Sequence, residues 1–121
     1  MSGKRRVLVV DDDDTYRELI EAALGDEGYD VSGAPNGAAA LEIVGRYRPH
    51  LILLDLRMPG QDGRAFAKAY RRRRGPKAAV ALVTAARDPA VEAARLGASA
   101  FLAKPFDLGH LINLVARLAG G

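Results

Sequence analysis

The stretch VLVVDDDDTY, residues 7–16, decides the fold. Four apolar residues run straight into four carboxylates, Asp11 to Asp14. Two unit charges about 4 Å apart interact by about 4 kcal/mol at an effective dielectric of about 20. The acids therefore need water, a cation or a helix start to offset their repulsion. The valines before them do not alternate with polar residues, which is how a strand reads when both faces of its sheet are covered.

Two more runs share that character, LILL (51–54) and AAVALV (78–83); YDVSGA (29–34) and AFLAK (100–104) are weaker relatives. Between them, apolar residues recur at three-four spacing: Tyr16, Leu19, Ile20, Ala23 and Leu24; then Leu41 and Val44; then Phe66, Ala69 and Tyr70. Leu108, Leu111, Ile112, Val115 and Leu118 close the series. Pro49, Gly60, Gly63, Gly75, Pro76 and Gly97 punctuate the boundaries. The pattern predicts five strands alternating with five helices, an α/β fold with an open parallel sheet covered on both faces. In such sheets the active groups gather at the carboxyl ends of the strands.

Composition narrows the class. The 121 residues fit one domain, and 49% of them are hydrophobic, ample for one core. Without cysteine there are no disulfides and no thiolate metal sites. A net charge of +3 gives no ground for direct nucleic-acid binding. No apolar stretch approaches the length of a membrane span, and the first residues lack the apolar core of a signal peptide, so a cytoplasmic location is the expectation. The final LAGG suits either a natural terminus or the start of a linker.

The residues at the strand ends carry the chemistry. Asp11 and Asp12 follow the first apolar run, Asp55 the third, Thr84 the fourth and Lys104 the fifth. Three carboxylates, a hydroxyl and an ammonium would converge on one edge of the sheet. An acid trio needs a counter-charge to stay ionised, and Mg²⁺ suits it, because that ion uses few carboxylates and completes its shell with water and phosphate oxygens. Lys104 and Thr84 then read as ligands for a phosphoryl group, with Asp55 as the nucleophile that receives it. Asp13 and Asp14 would start the first helix, one as its cap and both favouring the positive end of its dipole.

The motifs VLVVDDD, LILLDLRMPGQDG, VTA and AKPF, in that order, make the chain similar to the receiver domain of two-component response regulators. The resemblance covers essentially the whole chain, as a single domain over 1–121 with its core at about 5–119. It implies a three-layer, flavodoxin-like fold with strand order 2-1-3-4-5. Asp55 would accept a phosphoryl group from the phosphohistidine of a sensor histidine kinase, from a phosphotransfer protein or from a small phosphodonor. Mg²⁺ would be held by Asp12, Asp55 and the backbone carbonyl of Arg57, with Asp11 reaching it directly or through water. The Lys104–Pro105 peptide would be cis, and Phe101 would be the switch aromatic that turns inward as Thr84 moves. The outcome would be a changed face of helix 4, strand 5 and helix 5, read by an output protein or a second copy. The domain would catalyse only its own phosphorylation and dephosphorylation.

Some residues depart from the family's pattern. Thr84 and Lys104 are about two residues closer than is usual, which shortens the region of the fourth helix. Arg57 and Ala86 occupy positions that tune phosphoryl lifetime, and the long cationic Arg57 is expected to shield the group. RRRRG (71–75) reads as a solvated helix end, or as a patch for an acidic partner or nucleic acid. His50 and His110 receive no role. Two other functions compete. A haloacid-dehalogenase-type phosphatase would want an Asp where Arg57 stands, and a flavodoxin-like cofactor binder would want a phosphate loop where the four acids stand.

Overall fold

The computed structural model describes residues 3–58 and 63–120. The segment Pro59–Gly60–Gln61–Asp62 of the second motif, with the expected Gly60 boundary, lies outside them. The elements alternate as β1 (Arg6–Val10), α1 (Asp14–Asp26), β2 (Asp30–Ala34), α2 (Gly37–Tyr47) and β3 (Leu51–Leu54). They continue as α3 (Gly63–Arg72), β4 (Ala79–Thr84), α4 (Pro89–Leu96), β5 (Ala100–Ala103) and α5 (Leu108–Ala119). All pairings are parallel, in the order β2-β1-β3-β4-β5, the expected flavodoxin-like sheet.

Period-two alternation along the central strands divides the core. Leu8, Val10, Ile52, Leu54 and Leu82 pack with Ala40 and Val44 of α2, Phe66 and Tyr70 of α3, and Ala93 of α4. Val7, Val9, Leu51, Leu53, Ala81 and Val83 pack with Ile20 and Leu24 of α1 and Leu111 and Val115 of α5. Successive strand residues point to opposite faces, so a strand buried on both must be apolar throughout. Each fully buried Leu, Ile or Val contributes about 1.5–3 kcal/mol relative to exposure, and Leu8→Ala would cost about 2–5 kcal/mol.

Local chemistry sets the helix ends. Asp13 caps α1 by accepting from the amides of Thr15 and Tyr16, while Asp14 lies inside the first turn rather than before the helix. Asn36 caps α2 through the Ala39 amide, and α2 stops at Arg48, which is left-handed at φ 54° and precedes Pro49. The third helix ends at Arg72, so only the first half of the arginine run belongs to it. Thr84 is the last residue of β4, as expected, and Lys104 lies one past β5 rather than at its end. Leu19 and Leu108 carry the helical period yet are 41% and 40% exposed, because they stand at the borders of the apolar stripes.

Candidate functional site

Backbone hydrogen bonds fix the carboxyl edge of the sheet. The Asp11 amide donates to Ala34 O, the Asp55 amide to Val10 O and the Lys104 amide to Thr84 O. Each of these residues thus extends its ladder by one bond beyond its strand. Their side chains thus leave hydrogen-bonded backbone together, which limits the entropy lost in holding them in one arrangement.

The side chains meet there. Ligand oxygens of Asp11, Asp12 and Asp55 lie within 4.8 Å of one another, with Asp12 exposed and the other two buried. The Lys104 ammonium donates to Asp11 Oδ2 at 2.7 Å and to Asp55 Oδ2 at 3.1 Å. Burial pushes the Asp11 carboxyl above its ordinary range, although Lys104 and the Asp13 amide oppose this. Burial would lower Lys104, but its hydrogen bonds to the two aspartates outweigh that and hold it above its usual value. Asp11 Oδ1 accepts from the Asp13 amide and Asp55 Oδ1 from the Arg57 amide, so the second oxygens are left to the site.

The donor set fits a hard divalent cation. It is all oxygen, and with the three acids ionised the cluster exceeds the single ammonium by two negative charges.

The sequence model of the response regulator receiver domain matches residues 7–116. This chain belongs to the response-regulator receiver domain family. The receiver is 37% identical over 119 residues to the regulatory protein AtoC of Escherichia coli, covering 97% of this chain and 26% of AtoC. It therefore spans about a quarter of that regulator's length. It is 36% identical to sporulation initiation phosphotransferase F of Bacillus subtilis, covering 93% of this chain and 91% of that protein. Chemotaxis protein CheY4 of Vibrio cholerae superposes with a TM-score of 0.84 at 28% identity, over 96% of this chain and 99% of that one. The domain is thus one of two-component signal transduction.

The remaining expected residues of the receiver are placed as follows. Thr84 is fully buried on β4, and its Oγ1 accepts from the Ala86 amide at 3.1 Å. Phe101 on β5 is 45% exposed. The Arg57 side chain is exposed and donates to Ala85 O at 3.5 Å, across to the loop after β4. The Lys104–Pro105 peptide is cis. The fourth helix has eight residues, its Asp88 makes no capping bond, and a bidentate pair ties it to α3: Arg64 Nε–Glu92 Oε1 at 3.1 Å and Nη2–Oε2 at 2.7 Å.

Reasoning from the sequence missed three supports of this site. The Tyr16 ring lies 4.1 Å beneath the Lys104 ammonium and tilts against Phe106 at 5.8 Å. Arg17 Nη1 donates to Asp11 O at 2.7 Å, and its Nη2 pairs with Asp14. Gly63 opens α3 against the Asp55 backbone, where an added Cβ would stand 2.2 Å from Asp55 O. Tyr16 had a signal, an aromatic on the turn after the acids, but the helical period absorbed it. Gly63 had one as well, a glycine eight residues past Asp55 where a helix begins.

Proposed function

We propose that this receiver is a phosphorylation-controlled switch with Asp55 as its phosphoacceptor. A carboxylate oxygen of Asp55 attacks phosphorus, a P–O bond forms, and the donor's P–N bond breaks when the donor is a phosphohistidine. The electron pair returns to the donor imidazole. A sensor histidine kinase, a phosphotransfer protein or a small phosphodonor supplies the group. Lys104 moves from its two aspartates to the phosphoryl oxygens, and the Thr84 hydroxyl turns to the same group. Mg²⁺, held by Asp11, Asp12, Asp55 and the Arg57 carbonyl, would supply neutralising charge at those oxygens. Arg57 shields the product from water.

The added charge biases a pre-existing two-state equilibrium of the α4–β5–α5 face. Phe101 and Val91 leave apolar surface on that face, at 45% and 48% exposure, for an output protein or a second copy. A cytoplasmic location accords with this role, and no described helix is long and apolar enough to cross a membrane.

The observation that carries the reading is the Lys104 ammonium shared by Asp11 and Asp55 beside Asp12. Intact mass after incubation with acetyl phosphate and Mg²⁺ tests it. One added phosphoryl group is expected, lost in Asp55→Asn and in EDTA. An adduct that survives Asp55→Asn would overturn the assignment. If no adduct accumulates, beryllofluoride binding separates rapid hydrolysis from an inert site, and failure to bind it would overturn the reading too.

A further inference from the structure

At the end of the sheet opposite Asp55, a cavity of about 490 Å³ opens between the C-terminal ends of α2 and α3. That volume falls within the range of about 300–1,000 Å³ usual for ligand pockets. Val44, Pro49, Tyr70 and Pro76 give it apolar walls. Arg48, Arg73, Arg74 and Lys77 surround them, and none of the four pairs with a carboxylate among the described residues.

Cations at helix ends commonly serve the last carbonyls. Lys77 does so just past α3, whereas Arg73 reaches across to a carbonyl inside α2. Arg73 Nη1 donates to Leu41 O at 3.0 Å, lying over Gly45, where a Cβ would approach its Nη2 to 3.0 Å. The Lys77 ammonium donates to Arg73 O and, at 3.0 Å, to Gly75 O. These bonds fix two cations at the cavity without neutralising them. The side chains of Arg48 and Arg74 make neither a hydrogen bond nor an ion pair among the described residues. His50 adds a neutral donor: its Nδ1 accepts from the Arg6 amide at 2.9 Å, which leaves the ring hydrogen on Nε2.

Arginines present forked donors that match phosphate oxygens, and four uncompensated cations around one recess call for more than one negative charge. A nucleic-acid strand would want cations spread along a track with exposed aromatics for stacking. Here the charges converge on a concavity, and Tyr70 is only 7% exposed. We propose that this recess is a second ligand site, taking a phosphorylated small molecule with two or more negative charges and an apolar portion.

ATP, without added metal and in a chelator, is the probe, and amide chemical shifts of the full chain are the readout. Shifts are expected at residues 44–50 and 70–78. Adenosine should leave them unmoved, and pyrophosphate should bind more weakly than ATP. Arg48→Ala and Arg74→Ala should each weaken ATP binding about tenfold, the scale of one charge-assisted hydrogen bond. Both side chains are exposed and, among the described residues, unpartnered, so the thermal midpoint and the Asp55 adduct should be unchanged. Three results would overturn the proposal: silent amides in the recess at about 10 mM ATP, well above a millimolar Kd; adenosine binding as well as ATP; or a single-stranded oligonucleotide binding more tightly than ATP.

Discussion

The ammonium of Lys104 stands 4.1 Å from the centre of the Tyr16 ring while its hydrogen bonds go to Asp11 and Asp55. The lysine side chain is 8% exposed, so its charge meets the ring's negative face with little water to screen it. Such a desolvated cation–π contact is worth about 2 kcal/mol. Tyr16 thus helps position the lysine that the two aspartates share. Tyr16→Leu should cost about 1–2 kcal/mol in urea unfolding and slow adduct formation on Asp55. Tyr16→Phe keeps the ring and should restore both. If Phe is as poor as Leu, the hydroxyl rather than the ring face is responsible.

Gly63 meets the site through the backbone. Its missing Cβ leaves room for Asp55 O, and an alanine there would lie 2.2 Å from that oxygen. The obstacle is main chain and cannot rotate away. Gly63→Ala should destabilise by about 1–3 kcal/mol, the range for overpacking. Because the displaced atom belongs to Asp55, the adduct yield should fall along with the urea midpoint. A variant that loses stability but keeps full yield would show that α3 gives way and the acceptor does not.

These two residues show where the sequence is readable and where it is not. The strands were legible because a doubly covered strand must be apolar, and β3 coincides with LILL (51–54). Asp11, Asp12, Asp55, Thr84 and Lys104 were legible because each follows or ends an apolar run, and the shared edge follows from parallel topology. Tyr16 and Arg17 were not, since their partners, Lys104 and the Asp11 carbonyl, become neighbours only when the chain is folded. The three-four period placed Leu19 and Leu108 on their stripes but said nothing of the stripes' width, and both are substantially exposed.

The Arg64–Glu92 pair ties the short α4 to α3. Only Ala93 of that helix is fully buried, Leu96 packs partly buried against the core, and Asp88 gives no capping bond, so the pair adds to a small set of contacts. The Arg64 side chain is 40% exposed, so coupling should be at most about 1 kcal/mol. Both residues make further interactions, so a double-mutant cycle with Arg64→Ala and Glu92→Gln is needed to isolate the pair. Amide hydrogen exchange of residues 92–96 should be faster than in α1 or α5, and faster again in either variant. Unchanged exchange in both would show that core packing and the Gly97 cap anchor the helix without the pair.

Asp11 should make the metal-free fold less stable at neutral pH. Burial raises its folded pKa above the ordinary 3.8, in spite of Lys104. The folded chain therefore keeps this proton at pH values where the unfolded chain has released it. The resulting stabilisation is complete below about pH 3.8 and is lost as pH rises through the raised folded value. At pH 7 the ionised, buried carboxylate is a cost, and Asp11→Asn removes it while its amide oxygen can still accept from Asp13. In EDTA the variant should show a higher urea midpoint than the parent at pH 7, and the gain should shrink towards zero below pH 3.8. Adding Mg²⁺ should narrow the gap at pH 7, because an ion that binds only the folded parent stabilises it by mass action. A variant less stable than the parent at pH 7 in EDTA would mean that the Lys104 pair outweighs the burial cost.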